Sequence, residues 1–192
     1  VALTLAPSSV LRANVADLEA VMLRQVVMRD VSVRDPAVEV LGQRLELPIV
    51  LAPVGLAGMF ARRAEVQAAR AAETIGVPFV ESTLSICSIE EVAEATTKPP
   101  WFQLYVMRDR GYAEGLMARA AAAGCDTLVL TVDLAVVGAR YRDGRNGLDG
   151  PVGQLGQARR LLDLASHPRW LRDVAVGGKP LTFGNLEAAV PG

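Results

Sequence analysis

The sequence is poor in the residues that most often do chemistry. Its one histidine, His167 in "SHPRW", has no Ser or Cys placed to complete a nucleophile–base triad, so hydrolases of that design are excluded. A lone loop histidine of this kind reads as a surface residue. The two cysteines, Cys87 and Cys125, have no metal-binding spacing and read as buried structural thiols of a reducing compartment. No metal site is expected. With 20 basic residues against 21 acidic, the net charge is −1, which offers no basic patch for nucleic acid. The longest uncharged stretch, Leu47 to Ala61, is too short to span a bilayer and is broken by Pro48 and Pro53. Neither "GLAG" (55–58) nor "GQLG" (153–156) is a dinucleotide fingerprint, and no Walker motif occurs. The opening "VALTLAPSSV" lacks the basic start of a secretory signal, and its first residue, Val rather than Met, reads as a cut or processed end.

What is present is a soluble globular composition, 51% hydrophobic and 21% charged over 192 residues, enough for one domain or part of a larger one. Four segments repeat one grammar: a short apolar run, a polar or glycine-bearing end, then a helical stretch. "PIVLAPVG" (48–55) precedes "ARRAEVQAARAAETIG" (61–76), and "VPFVES" (77–82) precedes "SIEEVAEA" (88–95). "WFQLYV" (101–106) precedes "RGYAEGLMARAAAAG" (110–124), and "DTLVLTVD" (126–133) comes last. The runs are continuous rather than alternating, as in parallel strands covered on both faces, and their spacing fits βα units. Gly76 and Gly124 fall where helix C-caps belong, and Ser88 with Glu91 forms a capping-box pattern. Upstream, residues 15–32 predict a helix followed by an extended lead-in, and residues 35–48 a small hairpin around Leu41, Gly42, Gln43 and Arg44. Beyond Asp133 the pattern stops in a charged, glycine-rich loop (138–156). A short helix over 157–165 and a tail with no clear strand come after it, and so long an irregular stretch is usually functional or mobile.

Two residues misfit their apolar strand. Gln103 and Tyr105 share one parity, so they point to the same side of a pleated strand. Parallel α/β sheets bind ligands at the C-terminal ends of their strands, where this chain gathers Pro53, Val54 and Gly55, then Ser82, then Gln103 and Tyr105, then Thr131 and Asp133. Phe102, Leu104, Leu128, Leu130 and Val132 take the opposite parity, which would face helices. Taken singly, each polar residue at a strand end is as well explained by satisfaction of local backbone groups. Taken together, they suit a flat heteroaromatic ring. Arg140 and Arg142, in "GARYRD", read either as a bidentate clamp for a carboxylate or as solvated loop charges, with Asp143 neutralising one of them.

The segments "LPIVLAPVGLAGMFARRAEVQAARAAETIGVPF", "STLSICSIEEV", "WFQLYVMRDRGY", "AGCDTLVLTVDL" and "GARYRDGRNGL" resemble the FMN-dependent α-hydroxy-acid dehydrogenases and oxidases. The bacterial quinone-linked L-lactate dehydrogenases are the branch most alike, and the tail "HPRWLRDVAVGGKPLTFGNL" is similar to theirs as well. The resemblance runs from about Leu11 to the C-terminus. It implies a TIM (β/α)8 barrel of which this chain carries the N-terminal half, about four units: a lead-in over 1–47, the units over 48–133 and a long loop region over 134–192. It further implies FMN against the backbone of Pro53, Val54 and Gly55, with Ser82, Gln103 and Thr131 bonded to the ring. Tyr105 and Arg140 would hold a small L-2-hydroxy acid such as L-lactate, and a quinone or other acceptor would take the electrons.

Departures from the family pattern matter equally. The family's histidine base, its lysine near the flavin, its second carboxylate-binding arginine and its phosphate-binding segments have no counterpart, so no catalytic residue is expected in this chain. His167 does not match the base. Glu81 stands where the family carries an apolar residue, at a cost unless the carboxyl is paired or protonated. Ala135 and Val137 replace prolines that stiffen the loop before Arg140. The resemblance places the protein in the cytoplasm, with peripheral contact at the inner membrane, and Trp170 among arginines is compatible with such contact. A second half-chain or another copy would complete the barrel. Two alternatives stay open: an inactive half-barrel that binds flavin weakly or self-associates through its strand edges, and a complete flavodoxin-like binding domain. In a reconstituted enzyme, Arg140→Lys should raise KM and lower kcat by breaking the bidentate grip. Steady-state kinetics would check this, and unchanged constants would assign the clamp elsewhere.

Overall fold

A computed structural model describes residues 7–133 and 153–186. The chain divides into two compact units, Val1–Asp35 with Val136–Gln157, and Pro36–Ala135 with Ala158–Gly192. In the first, helix α1 (Pro7–Glu19) opens on a proline, which suits a first helical position. The helix therefore begins before the predicted residues 15–32 and ends inside them. The segment after α1 is extended and exposed, with Val21, Leu23 and Val27 each more than half accessible. The β-branched valines there are weaker helix formers than the residues before them.

The second unit begins with the predicted hairpin. Strands β1 (Val38–Val40) and β2 (Gln43–Leu45) pair antiparallel around Leu41 and Gly42, whose positive φ values of 52° and 75° match the twist of a two-residue hairpin turn. Three parallel strands come next, in the order β3 (Val80–Ser82), β4 (Trp101–Tyr105) and β5 (Leu128–Thr131). Helices α2 (Ala64–Ile75), α3 (Ile89–Glu94) and α4 (Arg110–Ala122) alternate with them. The first predicted strand, 48–55, is reduced to one parallel bridge, Leu51 to Phe79. Pro48 and Pro53 cannot donate to a ladder, and Ile49 and Val50 are exposed.

Caps fall where the sequence puts them. Gly76 closes α2 in the left-handed region at φ 79°, and an added Cβ there would lie 2.5 Å from Glu46 Cγ. Ser88 accepts the Glu91 amide at the start of α3. The Glu91 carboxylate pairs with Arg63. The hairpin is fastened to the N-terminal ends of the strands by Gln43, which donates to Asp126 at 2.9 Å and accepts from the Trp101 indole at 3.1 Å.

Phe102 and Leu104 face the helices, packing with Ile89, Leu116 and Ala120. Their registered neighbours on β5, Leu128 and Leu130, are 46% and 53% exposed, so the apolar row runs on to a face that stands open. After β5 come α5 (Gln154–Ser166), one turn of α-helix over Pro168–Trp170 and a π-helix over Leu171–Val176. The tail thus has no strand among its described residues, but it is helical where the sequence showed no regular pattern. His167 is exposed at the end of α5, and its ring nitrogen Nδ1 lies 2.8 Å from the Asp163 carbonyl.

Glu81 pairs with Phe102 in register and is fully buried on the helix side of β3. Neither carboxyl oxygen, nor the hydroxyl of neighbouring Ser85, has a hydrogen-bond partner among the described residues. Burial pushes the Glu81 carboxyl well above the ordinary carboxylate value of 4.5; Glu65 adds to this, and Ser85, Arg63 and Asn185 offset part of it. The folded chain therefore keeps this proton over a range in which the unfolded chain has lost it. Its contribution is intact below pH 4.5 and is lost as pH rises toward the raised folded value. Glu81→Leu should remove that loss and stabilise the protein at neutral pH by roughly 1–3 kcal/mol. Urea midpoints measured across this range for both proteins would check it, and equal slopes would place the pH dependence elsewhere.

Candidate functional site

Parallel register brings three of the predicted residues into one row. Ser82 pairs with Gln103 across β3 and β4, and Gln103 reaches diagonally to Thr131 on β5. Gln103 is 1% exposed, and its carboxamide is held on both sides. Its Oε1 accepts from the Ser82 hydroxyl at 3.2 Å and the Thr83 amide at 3.3 Å, and its Nε2 donates to the Thr131 hydroxyl at 2.8 Å. These bonds fix which end of the amide is oxygen, and they leave one Nε2 hydrogen over. The burial cost of a polar group inside an apolar strand is thus offset locally.

Thr83, which the sequence did not single out, steadies the same strand end. Its hydroxyl donates to the Gln103 carbonyl at 2.6 Å and accepts from the Tyr105 amide at 3.1 Å. Tyr105 is half-buried at the C-terminal end of β4, on the parity of Gln103. The segment Pro53–Gly55 meets the row from the other side. A Cβ added to Gly55 would lie 3.4 Å from Leu84 Cβ and 3.9 Å from Ser82 Oγ, while Val54 is exposed. Ser82, Gln103, Thr131 and Tyr105 thus lie at the C-terminal end of one sheet, and the loop Pro53–Gly55 lies beside them. Arg140, with Arg142 and Asp143, lies outside the described residues.

The tail supplies a brace that sequence reasoning missed. Asn185 is fully buried; its Oδ1 accepts from the Ile89 amide at 2.9 Å, and its Nδ2 donates to the Ser82 carbonyl at 3.1 Å. Its own carbonyl accepts from Tyr112 Oη at 2.6 Å and from Arg119 at 3.2 Å. Arg119 also grips Glu90 through two 2.8 Å bonds, which hold that carboxyl down to about 2. The only local sign of this was "FGNL" itself. A Cβ on Gly184 would lie 2.6 Å from the Ser88 amide nitrogen, so the backbone passes too closely for any side chain. Trp170 likewise turns its indole N–H onto the Met59 carbonyl at 2.8 Å.

Such a row can present donors and acceptors to a flat ligand, but it contains no acid or base. Comparison with known proteins decides the relationship. A family model described as FMN-dependent dehydrogenase matches residues 5–189. The chain belongs to that family. It is 54% identical over 178 residues to an L-lactate dehydrogenase of Ectopseudomonas mendocina, covering 93% of this chain and 46% of the relative. An L-lactate dehydrogenase of Haemophilus influenzae is 54% identical over 173 residues, with 90% and 45% covered. Among solved structures, the monotopic membrane protein (S)-mandelate dehydrogenase superposes with a TM-score of 0.76 at 39% identity, over 85% of this chain and 43% of the other. A mandelate oxidase bound to 3,3-difluoro-2-hydroxy-3-phenylpropionic acid gives 0.70 at 39% identity, over 76% and 44%. The chain spans about half the length of the curated relatives it matches. Among the described residues, no helix is long and apolar enough to cross a membrane.

Gln103 is the member of the row bonded to both neighbouring strands. Gln103→Leu keeps the volume but takes away the bonds of the Ser82 and Thr131 hydroxyls, while the Thr83 amide keeps its bond to the residue-103 carbonyl. It should destabilise the chain by roughly 1–3 kcal/mol, read as a lower urea midpoint. A midpoint equal to that of the native protein would mean the row contributes nothing to folding.

Proposed function

We propose that this chain is the flavin-ring wall of an FMN-dependent L-2-hydroxy-acid dehydrogenase, with L-lactate as substrate. It would make up the first four βα units of a TIM barrel. The observation that carries this reading is the row Ser82–Gln103–Thr131, bonded across three parallel strands at their C-terminal ends and flanked by Gly55. The polar set fits the group: the leftover Gln103 amide hydrogen and the Thr131 hydroxyl can donate to ring acceptors, and the Ser82 oxygen, whose own hydrogen goes to Gln103, can accept from a ring N–H. Gly55, without a side chain, lets the backbone of Pro53 and Val54 come close.

FMN, when bound, would supply the two-electron acceptor for oxidising the 2-hydroxyl to a ketone. Ser82, Gln103 and Thr131 would orient the ring, and the backbone at Pro53–Gly55 would cover one side of it. Tyr105 would bind the substrate one step nearer the mouth, and Arg140 would hold its carboxylate. The proton base, the phosphate anchor and the second carboxylate clamp would come from the remaining half of the barrel, as a further segment or a second chain. A quinone would accept the electrons, with peripheral membrane contact from the cytoplasmic side. The likeness to a monotopic membrane protein supports that contact, as do Leu161 and Leu162, which stand 66% and 73% exposed on α5.

A second reading, an inactive half-barrel that pairs with another copy, draws on the open row Leu128, Leu130 and Val132, the last 84% exposed. Fluorescence titration of the purified 192-residue chain with FMN, followed by lactate, separates the two. Weak FMN binding without bleaching by lactate is the expected result. Rapid bleaching would sink the assignment of the base to the other half, and self-association with no flavin uptake would favour the second reading.

A further inference from the structure

Glu65 lies in the first turn of α2 and is 1% exposed. Its carboxyl ignores its own helix and binds two other loops. Oε1 accepts from the Gly58 amide and from the Ile86 amide, each at 3.0 Å, and Oε2 accepts from Cys87 Sγ at 3.3 Å. Gly58 belongs to the loop that leaves Pro53–Gly55, and Ile86 and Cys87 to the loop that leaves Ser82. Among the described residues the partners of the two oxygens are all donors, so a side chain that accepts through both oxygens suits the place. Burial, with Glu65 alongside, pushes the Cys87 thiol up to about 12, which keeps it a donor.

The fit around this carboxyl is close. A Cβ on Gly58 would lie 2.6 Å from Ile86 Cβ and 3.0 Å from Glu65 Oε2. Nearer the strand ends the same two loops are joined by the Leu56 amide donating to the Leu84 carbonyl at 2.9 Å. Leu56 holds a left-handed φ of 60° there, a conformation that a leucine keeps only when its surroundings impose it.

We propose that Glu65 is a positioning residue: by clamping both loops from behind, it sets the spacing between the backbone at Pro53–Gly55 and the hydroxyl of Ser82. This rests on the flavin reading above, because those groups are the two sides of the wall. Glu65, buried behind both loops, would act on the ring only through them. Its effect on binding passes through the Leu56–Leu84 hydrogen bond, which joins the two loops beside Gly55 and Ser82.

The test compares the native chain with Glu65→Ala, Glu65→Gln and Glu65→Asp by two readouts: amide hydrogen exchange and FMN titration. In Glu65→Ala, the Gly58 and Ile86 amides should exchange faster by about tenfold or more, the loss expected when their acceptor is removed, while the amides of Phe102 and Leu104 keep their native rates. The dissociation constant for FMN should rise in parallel, and Glu65→Gln, which keeps one acceptor oxygen in reach, should restore most of both. If Glu65→Ala does not fold, Glu65→Asp, too short to reach both loops, is scored in its place. Native exchange at Gly58 and Ile86 in the shortened variants would overturn the proposal. So would faster exchange with unchanged FMN affinity, which would leave Glu65 a purely structural residue. A native chain that takes up no FMN removes the flavin reading instead, and the exchange rates alone then decide whether Glu65 couples the loops.

Discussion

The Gln103 carboxamide is the constraint on which the rest turns. It is buried in the middle strand of a parallel sheet, where an unpartnered amide would be costly, and it is satisfied by hydroxyls on both neighbours and by the Thr83 amide. Satisfying it fixes the relative heights of Ser82 and Thr131. Strand β4 cannot slip by one residue without turning Gln103 into the helix layer and Phe102 out of it. One polar side chain thus fixes the register that the apolar face shares, at the C-terminal end of the parallel strands.

Around that row the structure is braced from outside the strands. Asn185 ties the tail to β3 and α3, Arg119 ties α4 to α3 and the tail, and Glu65 ties the first two strand-end loops together. Each brace uses a side chain to satisfy backbone groups that have no ladder partner, which is what strand ends and loop turns leave over. Glu81 is the exception. It sits among these braces with no hydrogen-bond partner among the described residues.

Much of this was legible in the sequence, and the legible part has a common character. The hairpin turn at Leu41–Gly42, the caps at Gly76 and Ser88, and the shared parity of Gln103 with Tyr105 all depend on residues within a few positions of one another. The burden of Glu81 was readable too, since a carboxylate inside "VPFVES" is costly whatever surrounds it. What the pattern could not reveal was distant partnership. Nothing near Asn185 says that its amide will meet Ser82, and nothing near Glu65 says that it will serve two loops rather than cap its own helix. The stretch 48–55 keeps only the Leu51–Phe79 bridge of its predicted strand for a related reason: apolar content marks a buried-strand candidate, but Pro48 and Pro53 cannot extend the ladder. The helix and extended lead-in expected within 15–32 are both present, but the helix begins earlier, at Pro7, which the sequence pattern did not mark.

The hold of Asn185 and Gly184 on residues 82–89 bears on chain continuity. The segment from Trp170 to Leu186 is attached to the sheet layer by side chains, close backbone approach and its own apolar packing. These contacts are separate from the peptide path that joins it to β5. A chain nicked anywhere between residues 134 and 152 would therefore keep its two pieces associated, and would still run as one particle under native conditions while separating in denaturant.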